Sequence, residues 1–275
     1  MKIILAALFS LTVFSHINAQ YYYSDIIGNQ LTNQQYKLIR TNKLNKISAT
    51  SYEGNQPSTD FVLEQTISNS GDQITTRSAS VGNGESFFIS RYNNNKVEKT
   101  VDSSSNAINT VSYEYDAQGR LSTTRSSNKD FDGTFSSTED HLWSYNAKGL
   151  PEKMVKIKNA TDTTHVIFKY DETGNIAEEV WKKNNRVLET YYYYYNSKNQ
   201  LTDIVRFSLK AKQMLPDYIF EYDDNGRIVQ MTQAQKNSAN YLIWKYSYNT
   251  LGLKEKEVVF NKKKEYLGKI EYNYQ

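Results

Sequence analysis

Cysteine is absent from the 275-residue chain, which excludes disulfides, thiol nucleophiles, cysteine metal ligands and a lipid-modified cysteine. Proline and histidine are scarce, at three residues each. Two histidines, His141 and His165, lie beyond the N-terminal segment, and neither has a second His or Cys at ligand spacing, so no zinc site is expected. There is no glycine-rich phosphate loop and no G-x-S-x-G elbow. Carboxylates do occur side by side, as Glu178-Glu179 and Asp223-Asp224, but adjacent residues on a strand point to opposite faces and cannot act as a pair. No catalytic residue, cofactor or metal is assigned, and a non-enzymatic protein is expected.

Long apolar runs are missing except at the N-terminus. There, Lys2, an apolar stretch from Ile3 to Phe14 and the ending Ile17-Asn18-Ala19 have the layout of a secretory signal peptide over residues 1–19. No other stretch is long enough for a membrane helix. The expectation is export, with a periplasmic, cell-surface or extracellular location. A single-sign charge excess is lacking too. Removing residues 1–19 takes away Lys2 alone and leaves 33 − 1 = 32 basic against 30 acidic residues, so bulk charge favours neither nucleic acid nor an anionic membrane as partner, and no nucleic-acid partner is expected. The lysines at 182–183 and 262–264 read as solvated turn residues.

Tyrosine is what the chain has in abundance, with 23 residues. From about residue 111 the tyrosines mark a repeat: VSYEYDAQG, HLWSYNAKG, VIFKYDETG, YYYYYNSKN, YIFEYDDNG, WKYSYNTLG and GKIEYNYQ. The anchors are Tyr115, Tyr145, Tyr170, Tyr195, Tyr222, Tyr248 and Tyr272, spaced by 30, 25, 25, 27, 26 and 24 residues, a period typical of repeat architectures. Tyr113, Trp143, Phe168, Tyr193, Phe220 and Tyr246 stand two places before their anchors. The residues between are mostly polar, as expected of half-buried strands with an aromatic packing face. Asp or Asn after the anchor, then Gly or Asn three places later, spells a type I turn with a bulge. In the Gly149 and Gly252 copies the next apolar residue, Leu150 or Leu253, comes one place early, and a register slip is expected there. Residues 20–110, rich in Asn, Gln, Ser and Thr, read as irregular copies of the same repeat, continuous with 111–275 in one domain. The fold expected is all-β: an antiparallel hairpin meander forming a wide, twisted and curled sheet.

The copies YEYDAQGRL and FEYDDNGRI resemble the YD repeat of Rhs, wall-associated and teneurin-like proteins, in a short secreted bacterial form. The similarity spans roughly residues 111–275 and implies a β-sheet wound into a spiral or shell. On this reading the chain is an exported binding or structural module at the cell surface, with glycan or another surface component as partner. Its oligomeric state is left open. The alternatives are an extracellular polysaccharide hydrolase and, with less support, an outer-membrane β-barrel. Glu178, Glu179, Lys182 and Lys183 weigh against the barrel by putting charge on both faces of one strand. Tyr192 and Tyr194 lie opposite the packing face, where they either stabilise the sheet through cross-strand contacts or offer a stacking platform to a glycan.

Overall fold

The computed structural model describes residues 21–275 apart from 55, 60, 81–83, 105, 209–210 and 236–238; the expected signal peptide, 1–19, lies outside the described residues. A helix comes first, α1 (Ser24–Thr41). An N-terminal arc of strands follows: β1 (Lys46–Glu53), the two-residue β2 (Gln56–Pro57), β3 (Phe61–Ile67), β4 (Gln73–Ser80), β5 (Gly84–Asn93) and β6 (Lys96–Ser103). The repeat arc begins with β7 (Ala107–Tyr115), β8 (Leu121–Asp130), β9 (Ser136–Tyr145), β10 (Pro151–Lys158), β11 (Asp162–Tyr170) and β12 (Ile176–Lys183). It ends with β13 (Arg186–Tyr195), β14 (Leu201–Ser208), β15 (Gln213–Tyr222), β16 (Ile228–Ala234), β17 (Tyr241–Tyr248), β18 (Lys254–Asn261) and β19 (Tyr266–Tyr274).

Every pairing is antiparallel between chain neighbours, as the alternating pattern requires, but the sheet is not open. β19 returns to β1 with Ile47 opposite Tyr274, Ala49 opposite Tyr272 and Ser51 opposite Ile270. Backbone bonds between Lys46 and Gln275, 2.8 and 3.1 Å, finish the seam. β2 pairs only with β1, so 19 − 1 = 18 strands form a closed barrel. Closure corrects the expected open, curled sheet, and its physical reason is that it leaves no edge strand with unpaired backbone groups.

The repeat has a clear structural meaning. In the first full copy Gly119 N–H donates to the Asp116 carbonyl at 2.8 Å, and Asp116 N–H donates to the Arg120 carbonyl at 2.9 Å. The Asp116 carboxylate also accepts from the Gln118 and Arg120 amides. Gly119 has φ +77°, and Asn199, its counterpart in the YYYYYNSKN copy, has φ 58°, a conformation Asn tolerates better than most residues. The expected register slip does not occur. Tyr145 faces Pro151 just as Tyr115 faces Leu121 and Tyr248 faces Lys254, each across a bulge. Leu150 and Leu253 occupy the turn position of Arg120.

The anchor tyrosines point into the barrel and clip neighbouring hairpins together. The hydroxyls of Tyr145, Tyr222 and Tyr248 donate to the carbonyls of Leu121, Leu201 and Ile228 at 2.6–2.7 Å, and Tyr170 does the same to Pro151. In the last copy the clip is made by Tyr274, to Lys254, rather than by Tyr272. The aromatic row two places earlier also faces inward. Trp143, Phe168, Tyr193 and Phe220 are buried, and Trp143 stacks on Phe168 with ring centres 5.4 Å apart.

The outer face, one residue out of step, is polar. Ion pairs decorate it: Lys46 with Glu64 at 3.1 Å, Arg125 with Glu114 at 3.3 Å, Lys169 with Glu178 at 2.6 Å, and Arg77 with Glu85. The meander places the Asx turns that follow the anchor tyrosines, with the 68–72 and 94–95 turns, at one end, here the anchor end. The remaining hairpin tips lie at the other, the far end.

Residues 24–41 correct the expectation that the N-terminal stretch is all strand. Ile26, Asn29, Thr32, Tyr36 and Ile39 recur every three or four positions and form the buried face of α1. Asn29 and Thr32 break the apolar stripe, and Gly28 costs helix propensity of about 1 kcal/mol, so tertiary contacts make this helix. Those contacts lie inside the barrel.

Candidate functional site

Eighteen strands about 4.8 Å apart close a circle of roughly 27 Å diameter even before tilt widens it, too broad for wall side chains alone to fill. An 18-residue helix is about 27 Å long. α1 uses that length to slant across the lumen. Its C-terminal part reaches the anchor end, where the Tyr36 hydroxyl donates to the Gly71 carbonyl at 2.7 Å and its ring stacks on Tyr92 at 3.7 Å. Ile39 packs with Ile47, Ile67 and Ile74. Midway, Asn33 accepts the Val97 amide at 2.8 Å, and Asn29 donates to the Tyr115 hydroxyl at 2.8 Å.

The residues leading into the helix are fastened to the opposite wall by two polar latches. The first is Glu179, on the inward face of β12 and 0% exposed. One carboxylate oxygen accepts the Tyr22 amide and the Trp181 indole N–H, both at 2.6 Å. The other accepts the Tyr23 amide at 2.9 Å and the Tyr193 hydroxyl at 2.6 Å. Burial pushes this carboxyl upward and the donors pull it back, leaving it above its ordinary value. Burial, then the adjacent Glu179 charge, drives Tyr193 well above the usual tyrosine range.

His141 is the second latch. Its Nδ1 lies 2.6 Å from Asp25 Oδ2 in the first turn of α1, and its Nε2 lies 2.9 Å from Glu139. Glu139 is also paired with Lys156 at 3.0 Å. Burial disfavours the imidazolium, but the Asp25 charge and bond, with Glu139, outweigh it and hold His141 at about 9. Burial likewise opposes ionisation of Glu139, and bonds from His141 and Lys156 outweigh it, bringing that carboxyl to about 2. Tyr21 fills the space between, with ring centres 5.6–6.4 Å from Tyr191, Tyr193 and Tyr218. Tyr22 packs on Trp181 at 4.5 Å.

Towards the far end the lumen wall turns charged. Lys183 pairs with Asp162 at 2.7 Å, and Arg206 with Asp217 at 2.6 Å and Glu189 at 3.5 Å. These charges answer one another across adjacent strands. Among the described residues no group of three or more His, Cys, Asp or Glu is arranged to hold a metal.

The faces of Glu178 and Glu179 are opposite, as expected: Glu178 pairs outside with Lys169 while Glu179 is the inner latch. His141 is a sheet histidine with both ring nitrogens bonded, and its partner on α1, Asp25, carried no signal in the sequence. Tyr192 and Tyr194 lie on the outer wall, opposite Glu178 and Val205 and opposite Asp203 respectively. Tyr194 is 51% exposed. The two are not part of the lumen site.

No family model and no curated protein matches the chain. Among solved structures it is similar to a porin-like protein from Bacteroides uniformis, with TM-score 0.40 and 10% identity over 84% of this chain and 98% of that one. A porin-like protein from Bacteroides vulgatus follows, with TM-score 0.33 and 14% identity over 83% and 97%. Likeness at this level assigns no function. The resemblance to YD-repeat proteins is overturned, because the hairpins close on themselves into a barrel. The surface-module reading falls with it.

Proposed function

We propose that the protein is a plugged barrel of the cell envelope, with its wall in water and its lumen closed by residues 21–41. The observation that carries this reading is the Glu179 latch. A fully buried carboxylate spends all four of its bonds on the plug and on the side chains that clasp it, which is an arrangement for holding a segment rather than for turning over a substrate. The charged outer wall supports the aqueous setting. Each Arg or Lys on a lipid-facing wall costs about 2–4 kcal/mol at the bilayer midplane, and Arg77, Arg125 and Lys245 sit at mid-strand.

A second reading, a membrane-spanning barrel, draws on one observation. Leu142 with Val155, Ile167 with Val180, and Tyr192 with Val205 are outward cross-strand pairs that make an apolar belt on part of the repeat arc. A lipid-facing band is about 25 Å tall and continuous around the barrel. This belt is one or two residues tall and is bounded by Lys153, Lys169, Glu178 and Asp203. The test is purification without detergent, followed by addition to planar bilayers. A soluble monodisperse protein with no conductance, and with slow hydrogen exchange over residues 24–41, is the expected result. Dependence on detergent together with ion conductance would replace it with the spanning barrel.

A further inference from the structure

We propose that the far rim of the barrel, where the hairpin tips opposite the anchor turns gather, docks on an anionic lipid surface. This rests on the reading that the wall itself stands in water. The exposed apolar side chains of the molecule are distributed unevenly. Phe131 and Phe135 on the β8–β9 tip are 56% and 55% exposed, Val187 and Leu188 on the β12–β13 hairpin 59% and 55%, and Phe207 and Met214 beside the β14–β15 tip 47% and 41%. At the anchor end only Leu251, 40% exposed, joins them among the described turn residues. Leu31 on α1 and Leu142 and Tyr194 on the wall are exposed as well, but at this end the exposed apolar groups collect on hairpin tips, at a cost that a partner surface would recover.

Charge names the partner. The same end carries Arg186 beside Val187, Lys212 two residues before Met214, and Lys262, Lys263 and Lys264 on the β18–β19 tip, all exposed, against scattered exposed carboxylates that include Asp132 on the β8–β9 tip and Glu265 after the lysines. Each basic residue adds attraction to anionic headgroups while the apolar side chains enter the interface. The geometry favours a plane over a peptide. The tips project from hairpins spread along the circumference rather than lining one groove, and the ring is braced by bonds between neighbouring hairpins. Lys262 Nζ donates to the Ala239 carbonyl at 2.8 Å, the Tyr266 hydroxyl to the Gly54 carbonyl at 3.0 Å, and the Thr138 amide to Asn159 at 2.9 Å. Asn184 and Asn185, with φ 48° and 62°, form a tight turn that holds Arg186 and Val187 at a fixed height.

The full mature chain, mixed with vesicles of phosphatidylcholine containing phosphatidylglycerol, should co-sediment, and should be released by high salt as screening shortens the electrostatic reach. Vesicles of phosphatidylcholine alone should bind about tenfold more weakly or less. Val187→Asp with Leu188→Asp, and separately Lys262→Glu with Lys264→Glu, should each lower binding to the anionic vesicles about tenfold or more while the melting temperature stays put, since these side chains are exposed. Equal binding to both vesicle types, no binding to either, or tip variants that bind like the parent would overturn the docking proposal. Detergent dependence and conductance belong to the previous test, so a soluble, non-conducting barrel that ignores vesicles removes this inference and leaves the plugged barrel standing.

Discussion

On the repeat arc the wall brings the bulk into the lumen: Trp143, Phe168, Tyr193 and Phe220 are buried there, and the incoming chain adds only Tyr21–Tyr23 and Ile26–Ile27 to their cluster. On the N-terminal arc the inward positions are smaller, with Ser51, Gln65, Thr76, Ser90 and Thr100 buried beside a few aliphatic residues, and the helix brings Tyr36 and Ile39 to meet them. Interiors pack to nearly constant density, so what one arc withholds the plug must supply. The helix leans on the arc with room for it. The polar attachment is divided the other way: charged latches on the repeat arc, neutral amide bonds on the N-terminal arc.

The largest effect should come from breaking the repeat-arc attachment. Glu179→Ala leaves the Tyr22 and Tyr23 amides, the Trp181 indole and the Tyr193 hydroxyl without their acceptor, a loss of about 3 to 5 kcal/mol in urea unfolding. The matching change on the other arc, Asn33→Ala, removes the acceptor of the Val97 amide and should cost about 1 kcal/mol. Equal losses would show that the two arcs hold the plug alike.

A second contrast is pH. His141 is raised from 6.5 to about 9, so its contribution is complete below about pH 6.5 and is lost as pH rises through about 9. Glu139 is lowered from 4.5 to about 2, so its contribution is present above about pH 4.5 and is lost as pH falls through about 2. The His141 latch should therefore be firmest between about pH 4.5 and 6.5, with the alkaline loss on the order of 3 kcal/mol. Hydrogen exchange of the amides in the first turns of α1 reads it. His141→Gln should flatten the alkaline limb, while the Val97 amide, bonded to uncharged Asn33, should keep its protection through that window. A parent protein whose first-turn exchange ignores pH between 6.5 and 9, after correction for intrinsic rates, would remove the second latch.

The two arcs also differ in how far the sequence disclosed them. Each hairpin of the repeat arc is set by its own residues: alternation chooses the inward face, Asp or Asn followed by Gly closes the turn, and the tyrosine stops the strand. Copies of a local rule are legible one at a time. Closure is not, because it depends on Ile47 meeting Tyr274, and the β1 sequence KISATSYE carries no mark of its partner. The same limit explains the misleading YD resemblance, since a turn signature says how one hairpin is made and nothing about whether the sheet bends into a shell or a barrel. α1 was hidden by Asn29 and Thr32, which face bonding partners where apolar side chains would have announced a helix. With the helix unseen, Glu179 and His141 had no visible reason to be buried. The signal that was available was the inward parity of Glu179: a charge on a face otherwise aromatic calls for a partner from elsewhere in the chain.

The finest test asks where the two arcs are joined. Most anchor hydroxyls make one bond within the repeat arc, as Tyr145 does to Leu121 at 2.6 Å, and Tyr145→Phe should cost about 1 kcal/mol. Tyr115 differs. Its hydroxyl donates to the Val97 carbonyl on β6 at 2.7 Å and accepts from Asn29 on α1 at 2.8 Å, so a single oxygen ties the first repeat strand, the last strand of the N-terminal arc and the middle of the plug. Tyr115→Phe strands both partners and should cost about 2 kcal/mol. It should also speed exchange at the centre of α1 while leaving the first-turn amides, held by the charged latches, unchanged. If Tyr115→Phe and Tyr145→Phe melt together and exchange alike, the hydroxyl of Tyr115 is another clip within the sheet and the arcs are joined by packing alone.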